Sequence, residues 1–258
     1  MGIHTEFHGS VAQVVVDVPP VNALTVAGWF ALAEAVESAG KQEGVGAVVL
    51  SARGRGFNAG VDIKEMQRTP GFQALLGANR GCFAAFRAVY ECGVPVVAAV
   101  HGYCLGGGIG LVGNADIIVA SRDATFGLPE VDRGALGAAT HLARLVPQHK
   151  MRAMVYLAET VGAEELHRYG SVYQVVDRDM LEETALDIAS KIAKKNHKVI
   201  RAAKQCLNGI DPVDVHRSYR FEQGFTFELN LEGVADEARD AFVDESSARP
   251  TSGKKREE

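Results

Sequence analysis

The sequence lacks any apolar run long enough to cross a membrane, and it carries no excess of positive charge. The longest apolar run, residues 94–100, is far shorter than the roughly 20 residues that a membrane-spanning helix needs. The first residues, MGIHTEFHGS, have neither a basic start nor an apolar stretch, so we expect no secretory signal. A formal net charge of −5 argues against general nucleic-acid binding. We therefore expect a cytoplasmic protein that binds neither membranes nor nucleic acids.

Cysteines are few and widely spaced in the chain. The four are Cys82, Cys92, Cys104 and Cys206. They show no CxxC or Cys/His spacing typical of zinc sites, so we expect no metal site. Scattered thiols of this kind indicate buried side chains in a reducing compartment.

Five short segments rich in apolar residues alternate with helical patterns. These segments are residues 11–18, 45–52, 94–101, 115–121 and 171–177. Thr25 is placed to cap a helix through WFALAEAVESA, which Gly40 would end. A second helix is expected within residues 72–91, where apolar residues return at helical spacing. Strands that alternate with helices predict an α/β fold with parallel strand pairing.

The strand patterns stop near residue 179, and only helical patterns follow. We interpret residues 1–190 as the α/β core and residues 191–258 as a helical subdomain with a disordered tail, because SSARPTSGKKREE is polar and charged. Phe221, Phe225 and Phe227 cluster in this subdomain. They form internal core, a subunit interface or a pocket wall, because a small appendage rarely buries three phenylalanines alone.

One glycine-rich motif matches a dinucleotide-binding fingerprint in its letters but not in its context. Gly108, Gly110 and Gly113 fit GxGxxG after a strand, which makes a dinucleotide-binding oxidoreductase the rival hypothesis. A Rossmann unit needs a helix of about three turns before its next strand. Here the next strand begins near residue 116 and leaves only about two turns. The spacing argues against dinucleotide binding, and glycines that only allow close helix packing are a further alternative.

Two glycine-rich loops follow separate strands and expose backbone N–H groups. Gly106, Gly107 and Gly108 precede a short helix, whose N-terminus favours negative charge. The other loop, GRGFNAGVD at residues 54–62, directly follows the strand VVLSA. Two such loops can aim two N–H groups at one carbonyl oxygen, which is the arrangement of an oxyanion hole. Spacing suggests this site without establishing it.

Several motifs in register resemble the crotonase (enoyl-CoA hydratase/isomerase) superfamily. FNAGVDIKE at 57–65 resembles the family's FxAGxDIKE segment, and GYCLGGG at 102–108 resembles its GxxxGGG segment. DIIVA, ATFGLPE and the early PVNAL continue the match in order and spacing, over essentially the whole chain. The resemblance implies a crotonase-type spiral of ββα units with a C-terminal helical subdomain. It also implies a homotrimer or a hexamer built as a dimer of trimers.

The resemblance assigns residues to an oxyanion hole and to coenzyme A. By it, the N–H groups of Val61 and Gly107 hold the oxygen of an acyl-CoA thioester. The residues expected along coenzyme A are Val21, Ala23, Asp62, Ile63 and Lys64. Coenzyme A enters as part of the substrate, so no separate cofactor is expected. A lysine that the family often has before the VNA segment is missing, which leaves Lys64 or a neighbouring subunit's terminal helices for the phosphates.

By the same resemblance Glu130 is the acid/base, whereas the family's second glutamate is absent because its position is Gly110. A single carboxylate can activate one water or shuttle one proton, an effect of about 10²–10⁴ in rate. Asp132 and His141 are candidates to replace the missing acid, although His141 also fits a packed helix residue. We expect Met66, Gly110 and His141 to line the acyl pocket, with Gly110 leaving space for a bulky substrate.

Longer runs, such as GLPEVDRGALGAATHLARLVPQH and EQGFTFELNL, most closely resemble crotonase-type hydrolases of steroid catabolism. Those enzymes open the remaining ring of a bicyclic keto-acyl-CoA left from the cholesterol C and D rings. The expected reaction is therefore C–C cleavage by water, with the enolate charge in the oxyanion hole. The alternatives are an enoyl-CoA hydratase or isomerase with a single glutamate, and a catalytically weak acyl-CoA-binding scaffold.

Overall fold

The structure, a computed structural model, describes residues 2–248 of the chain. In that range the strands are β1 Gly2–His8, β2 Val11–Asp17, β3 Ala47–Ala52, β4 Val96–Val100, β5 Tyr103–Leu105, β6 Ile117–Ser121, β7 Thr125–Gly127, β8 Thr160–Gly162 and β9 Gln174–Val176. The α-helices are α1 Val26–Lys41, α2 Ile63–Arg68, α3 Gln73–Tyr90, α4 Gly107–Val112, α5 Ala139–Leu142, α6 Gln148–Leu157, α7 Ala163–Tyr169, α8 Leu181–Ala193, α9 His197–Gly209, α10 Val215–Leu231 and α11 Val234–Ala248. Short 3₁₀ turns cover Pro129–Arg133 and Arg178–Met180.

The main sheet has the strand order β1-β2-β3-β4-β6-β9. All neighbouring pairs after β1 are parallel, and β1 pairs antiparallel with β2. The five predicted strands are β2, β3, β4, β6 and β9, so the predicted α/β class and parallel pairing are confirmed. The sequence did not indicate β1, because this edge strand is half exposed and has no apolar run. It also did not indicate the small sheet β5-β7-β8, whose strands have three residues each.

Both faces of the main sheet are covered by helices. One face, which includes Val97, packs against Ala185 and Ala189 of α8. The other face, which includes Leu50, belongs to the large core that also contains Trp29 of α1 and residues of α3. Burial on both faces explains why the parallel strands are continuous apolar runs.

The two predicted N-terminal helices are confirmed with small shifts at their ends. Thr25 caps α1, because its side chain accepts a hydrogen bond from Gly28 N. The helix ends at Lys41 and not at Gly40. The helix expected within residues 72–91 is α3. In contrast, α4 has only six residues, so the chain after the GxGxxG glycines is too short for a Rossmann crossover.

The helical region after the sheet begins later than residue 190. That position falls inside α8, and Ala193 at the end of this helix still packs on the sheet. Helices α9, α10 and α11 follow, as expected from the helical patterns. Buried Lys204 of α9 is anchored to the core, since its ammonium lies 2.6 Å from an Asp116 carboxylate oxygen. The predicted disordered tail lies mostly outside the described residues.

Three of the four cysteines are buried, as predicted, namely Cys82, Cys92 and Cys104. The prediction is wrong for Cys206, which is exposed on α9. Its neighbours on that helix are mostly solvent-facing, because α9 covers the core with one narrow face. No helix in the described part of the chain is both long enough and apolar enough to span a bilayer.

Candidate active site

The two glycine-rich loops predicted to donate N–H groups lie side by side. Leu105 N donates a hydrogen bond to Asn58 O at 2.9 Å, which joins the loop after β3 to the segment before α4. At Gly60, a Cβ atom would lie only 3.3 Å from Gly107 N. The absence of a side chain at Gly60 therefore lets the two loops approach backbone to backbone.

Val61 and Gly107 each have an N–H group that no protein atom of the described residues accepts. Val61 forms an isolated parallel bridge with Leu24, in which Leu24 N donates to Gly60 O and Asp62 N donates to Leu24 O, both at 2.9 Å. The N–H of Val61 therefore points away from Leu24. Gly107 is the first residue of α4, so its N–H has no acceptor within the helix. Two unpaired N–H groups on adjoining loops are what an oxyanion hole requires.

The oxyanion loop at residues 106–107 is enclosed between a buried ring and a carboxylate. A Cβ atom on Gly107 would lie 2.6 Å from the outer edge of the Trp29 ring, which is fully buried. A Cβ atom on Gly106 would lie 2.6 Å from Glu130 Oε1. A side chain at either position would force the Trp29 ring or the Glu130 carboxyl to shift, and the same closeness places the Glu130 carboxyl beside the predicted oxyanion hole.

Glu130 lies in the 3₁₀ turn Pro129–Arg133 and is half-buried, with the Oε2 atom of its carboxyl group buried. Its Oε2 atom has no hydrogen-bond partner among the described residues. Burial raises the pKa of Glu130 to about 8; the charge of Arg133 opposes this shift and that of Glu222 adds to it. A carboxyl group that titrates near neutral pH is suited to general acid/base chemistry.

Glu130 also lies in the wall of a mostly apolar cavity of about 130 Å³. The cavity lies between the Glu130 turn, α5, α6 and α10, and its walls include Leu128, Leu136, Phe221, Glu222 and Phe225. Phe221 and Phe225 thus form part of a pocket wall, one of the three alternatives drawn from the sequence. The buried carboxyl of Glu222 had no signal in the sequence, because no motif marks α10.

The residues predicted along coenzyme A lie on neighbouring segments. Val21 and Ala23 are half-buried and alternate with buried residues. Their segment is joined to the loop at residues 54–62 by the bridge between Leu24 and Val61. The Asp62 side chain caps α2 by accepting hydrogen bonds from its first N–H groups. Ile63 is half-buried in α2, and Lys64 is exposed beside it. The structure brings all five residues together, and their contacts with coenzyme A stay a prediction.

The open space predicted beside Gly110 is not present in the structure. A Cβ atom there would lie 2.1 Å from the Phe86 ring, so this aromatic ring fills the position. His141 is a packed residue, 1% exposed, whose ring contacts Phe86 and Tyr219 at centroid distances of 5.0 and 5.1 Å. Burial lowers the pKa of His141 to about 3, which keeps its ring neutral. The expectation of open space at Gly110 is therefore wrong, whereas substrate contacts of Gly110 and His141 stay a prediction.

Asp132 and Met66 lie away from the Glu130 cavity. Asp132 is exposed on the 3₁₀ turn and does not line the cavity, so the structure does not support it as the replacement acid. Met66 lines a separate cleft of about 410 Å³ with Leu75 and Arg239. This cleft lies between α2, α3 and α11, and the role of Met66 in the acyl pocket stays a prediction.

Comparison with known proteins places the chain in a family. The family described as Enoyl-CoA hydratase/isomerase matches residues 6–244. A Rhodococcus jostii protein named (7aS)-7a-methyl-1,5-dioxo-2,3,5,6,7,7a-hexahydro-1H-indene-carboxyl-CoA hydrolase is 63% identical, over 99% of this chain and 100% of its own. The Mycobacterium tuberculosis protein of that name is 67% identical, over 92% and 96%.

A solved structure of an enoyl-CoA hydratase/isomerase from Xanthobacter autotrophicus has a TM-score of 0.85 and 28% identity, over 95% of this chain and 92% of that one. The similarity to known proteins therefore covers nearly the full length of the chain, both in sequence and in fold. The chain belongs to the enoyl-CoA hydratase/isomerase (crotonase) family and is an enzyme that acts on a coenzyme A thioester.

Proposed function

We propose that this enzyme hydrolyses a C–C bond of a bicyclic keto-acyl-CoA and thereby opens a ring during steroid degradation. The observation that carries the proposal is the Glu130 carboxyl, which lies beside the oxyanion loops and in the wall of an apolar cavity. Two relatives at 63% and 67% identity are named as hydrolases of a dioxo-hexahydroindene carboxyl-CoA, a substrate with two fused rings and two ketones. Glycine at position 110 distinguishes this site from that of a two-glutamate hydratase.

The proposed reaction needs only water and the substrate. Val61 N–H and Gly107 N–H bind the thioester oxygen. Glu130, in its ionised form, takes a proton from water, and the hydroxide oxygen bonds to the ring ketone carbon. The C–C bond next to that carbon then breaks, and its electron pair moves into the conjugated thioester as an enolate, which the two N–H groups stabilise. The proton returns from Glu130 to carbon, and the former ketone becomes a carboxylic acid.

The ring of the substrate is assigned to the cavity beside Glu130. Phe86 fills the space at Gly110, so that position does not admit a ring. The cavity walls formed by Leu128, Leu136 and Phe225 are apolar and suit a hydrocarbon ring. The ketone of a substrate bound in this cavity would lie close to the Glu130 carboxyl, which forms part of the cavity wall.

Substrate comparison tests the proposed function. We expect purified enzyme to open a bicyclic keto-acyl-CoA and to hydrate crotonyl-CoA poorly, because hydration in the family uses two glutamates and only Glu130 is present here. Initial rates with both substrates at equal concentration give the comparison. Hydration of crotonyl-CoA at ordinary hydratase rates, without ring opening, would support the single-glutamate hydratase and contradict the proposal.

We also propose a homotrimer or a hexamer, with α10 near a subunit interface. Phe221 and Leu231 are 70% and 71% exposed on α10, and Leu157 at the end of α6 is 64% exposed. Exposed apolar groups on neighbouring helices are typical of association surfaces. Three buried free thiols also support a cytoplasmic location, because unpaired cysteines are typical of reducing compartments.

A charge on that surface is expected to dissociate the assembly. Phe221→Asp should shift the sedimentation coefficient at micromolar concentration towards that of a monomer, since an unpaired carboxylate is costly to bury. Phe7→Asp is the matched control, because Phe7 is also exposed but lies on the edge strand β1. A wild-type protein that sediments as a monomer would contradict the proposed trimer or hexamer.

A further inference from the structure

Helix α5 begins at a residue that has no side-chain oxygen to cap it. Ala138 occupies the N-cap position in a left-handed conformation, with φ of 62°. The N–H groups of Ala139 and Thr140 donate instead to the Glu222 carboxylate, at 2.8 and 2.6 Å, and the Thr140 hydroxyl also bonds to it. A carboxylate from α10 therefore satisfies the start of α5 in place of a local cap.

Thr226 makes a second connection one turn further along α10. Leu136 N donates to Thr226 Oγ1 at 3.0 Å, and the Thr226 hydroxyl donates back to Leu136 O. The adjoining residue, Ala135, donates its N–H to Glu130 O at 3.1 Å. We call Glu222 and Thr226 the α10 clamp, since together they hold residues 136–140, the segment that follows the Glu130 turn.

The α10 clamp also places a second carboxyl group in the wall of the Glu130 cavity. Burial raises the pKa of Glu222, whereas its three hydrogen-bond donors favour the charged form. Negative charge on Glu222 raises the pKa of Glu130, and positive charge on Arg133 lowers it. Cys82 and Tyr219 also face Glu130, but burial raises the pKa of both groups and keeps them neutral near pH 7.

We propose that Glu222 is a positioning residue for Glu130: it holds the segment that follows the Glu130 turn and places a second carboxylate in the wall of the same cavity. The proposal rests on the proposed role of Glu130 as the base. Because its oxygens already accept from Ala139 and Thr140, Glu222 acts through Glu130 and not on the substrate.

Three variants separate charge from mechanical support. Glu222→Gln removes the charge, and we expect kcat to fall about tenfold and the apparent pKa of the pH–rate profile to move to lower pH. Thr226→Val breaks the other half of the clamp without changing charge, so kcat should fall with the apparent pKa unchanged. Glu228→Gln is the matched control, since Glu228 is exposed on the same helix, and neither quantity should change.

A titration without substrate distinguishes this proposal from the proposed function. In protein labelled with ¹³C at glutamate carboxyls, the signal that titrates near pH 8 and is lost in Glu130→Gln should move to lower pH in Glu222→Gln. That shift would support the proposal even if no bicyclic substrate were turned over. An unchanged titration would overturn it. If Glu222→Gln does not fold, Glu222→Asp keeps the charge, and the proposal then requires a lower rate at an unchanged apparent pKa.

Discussion

Replacement of Glu130 by glutamine is expected to lower kcat by about 10²–10⁴ with little change in KM. Glutamine keeps the shape of the side chain but cannot take a proton from water. The carboxyl lies beside the oxyanion loop, as its closeness to Gly106 shows, so it acts where the enolate forms. A group that acts mainly in the transition state affects the rate constant more than ground-state binding. Steady-state kinetics with the bicyclic acyl-CoA gives both parameters.

The pH dependence of the wild type provides a second observation on Glu130. Because burial raises its pKa to about 8, the base form is scarce at pH 6, and kcat/KM should rise with pH and level off above about 8. Asp132→Asn is the matched control, since Asp132 is an exposed acid two positions away. Near-native activity in Glu130→Gln, together with loss of activity in Asp132→Asn, would assign the proton transfer to Asp132.

Thermal melting serves as the folding control for Glu130→Gln, because the direction of its stability change relative to the wild type can be predicted at each pH. A carboxyl whose pKa is higher in the folded state stabilises the fold below its unfolded pKa, and this contribution is lost as pH rises through the folded value of about 8. Glutamine cannot ionise, so the variant should melt at a higher temperature than the wild type at pH 9 and at a similar temperature at pH 5. The full effect is on the order of 5 kcal/mol.

Gly107→Ala is expected to lower kcat by about 10²–10³, the usual effect of losing one oxyanion donor. The added Cβ would lie 2.6 Å from the Trp29 ring, so the N–H must move away from the thioester oxygen. Trp29→Phe shortens that ring, and the double variant should therefore recover part of the rate lost in Gly107→Ala.

Trp29 also offers a direct readout of binding, because it is the only tryptophan in the chain. Titration of its fluorescence with acyl-CoA measures affinity for each variant that retains it. Gly209→Ala is the matched control for glycine replacement, since a Cβ there meets no atom within 4 Å. Equal kcat in Gly107→Ala and the wild type would contradict the role of the Gly107 N–H group as an oxyanion donor.

Much of the core was predictable because its strands are buried on both faces. Strands such as β3 and β4 are continuous apolar runs, and Thr25 is a strong helix cap. The small sheet β5-β7-β8 was not predictable, since three residues are too few to show a period. The position of Glu130 followed from the family motif and not from any pattern of its own.

The side-chain packing around the site was beyond sequence reasoning. Gly110 predicted open space, but Phe86 of α3 occupies it, and only the crossing of α3 over α4 determines this. The sequence offers Asp132 and His141 as replacement acids close to Glu130 in the chain, whereas Glu222 reaches the cavity from α10. Contacts between segments far apart in the chain carry no local signal when a single sequence is read.

Product analysis in ¹⁸O-labelled water tests hydrolytic ring opening most directly. The enzyme is incubated with a bicyclic keto-acyl-CoA, and the product is examined by mass spectrometry and NMR. Ring opening predicts a product that keeps its coenzyme A thioester, gains the mass of one water and carries the label in a single new carboxyl group. This product should be nearly absent with Glu130→Gln. Release of free coenzyme A, or label in a hydroxyl group on an intact bicyclic ring, would contradict the proposed function.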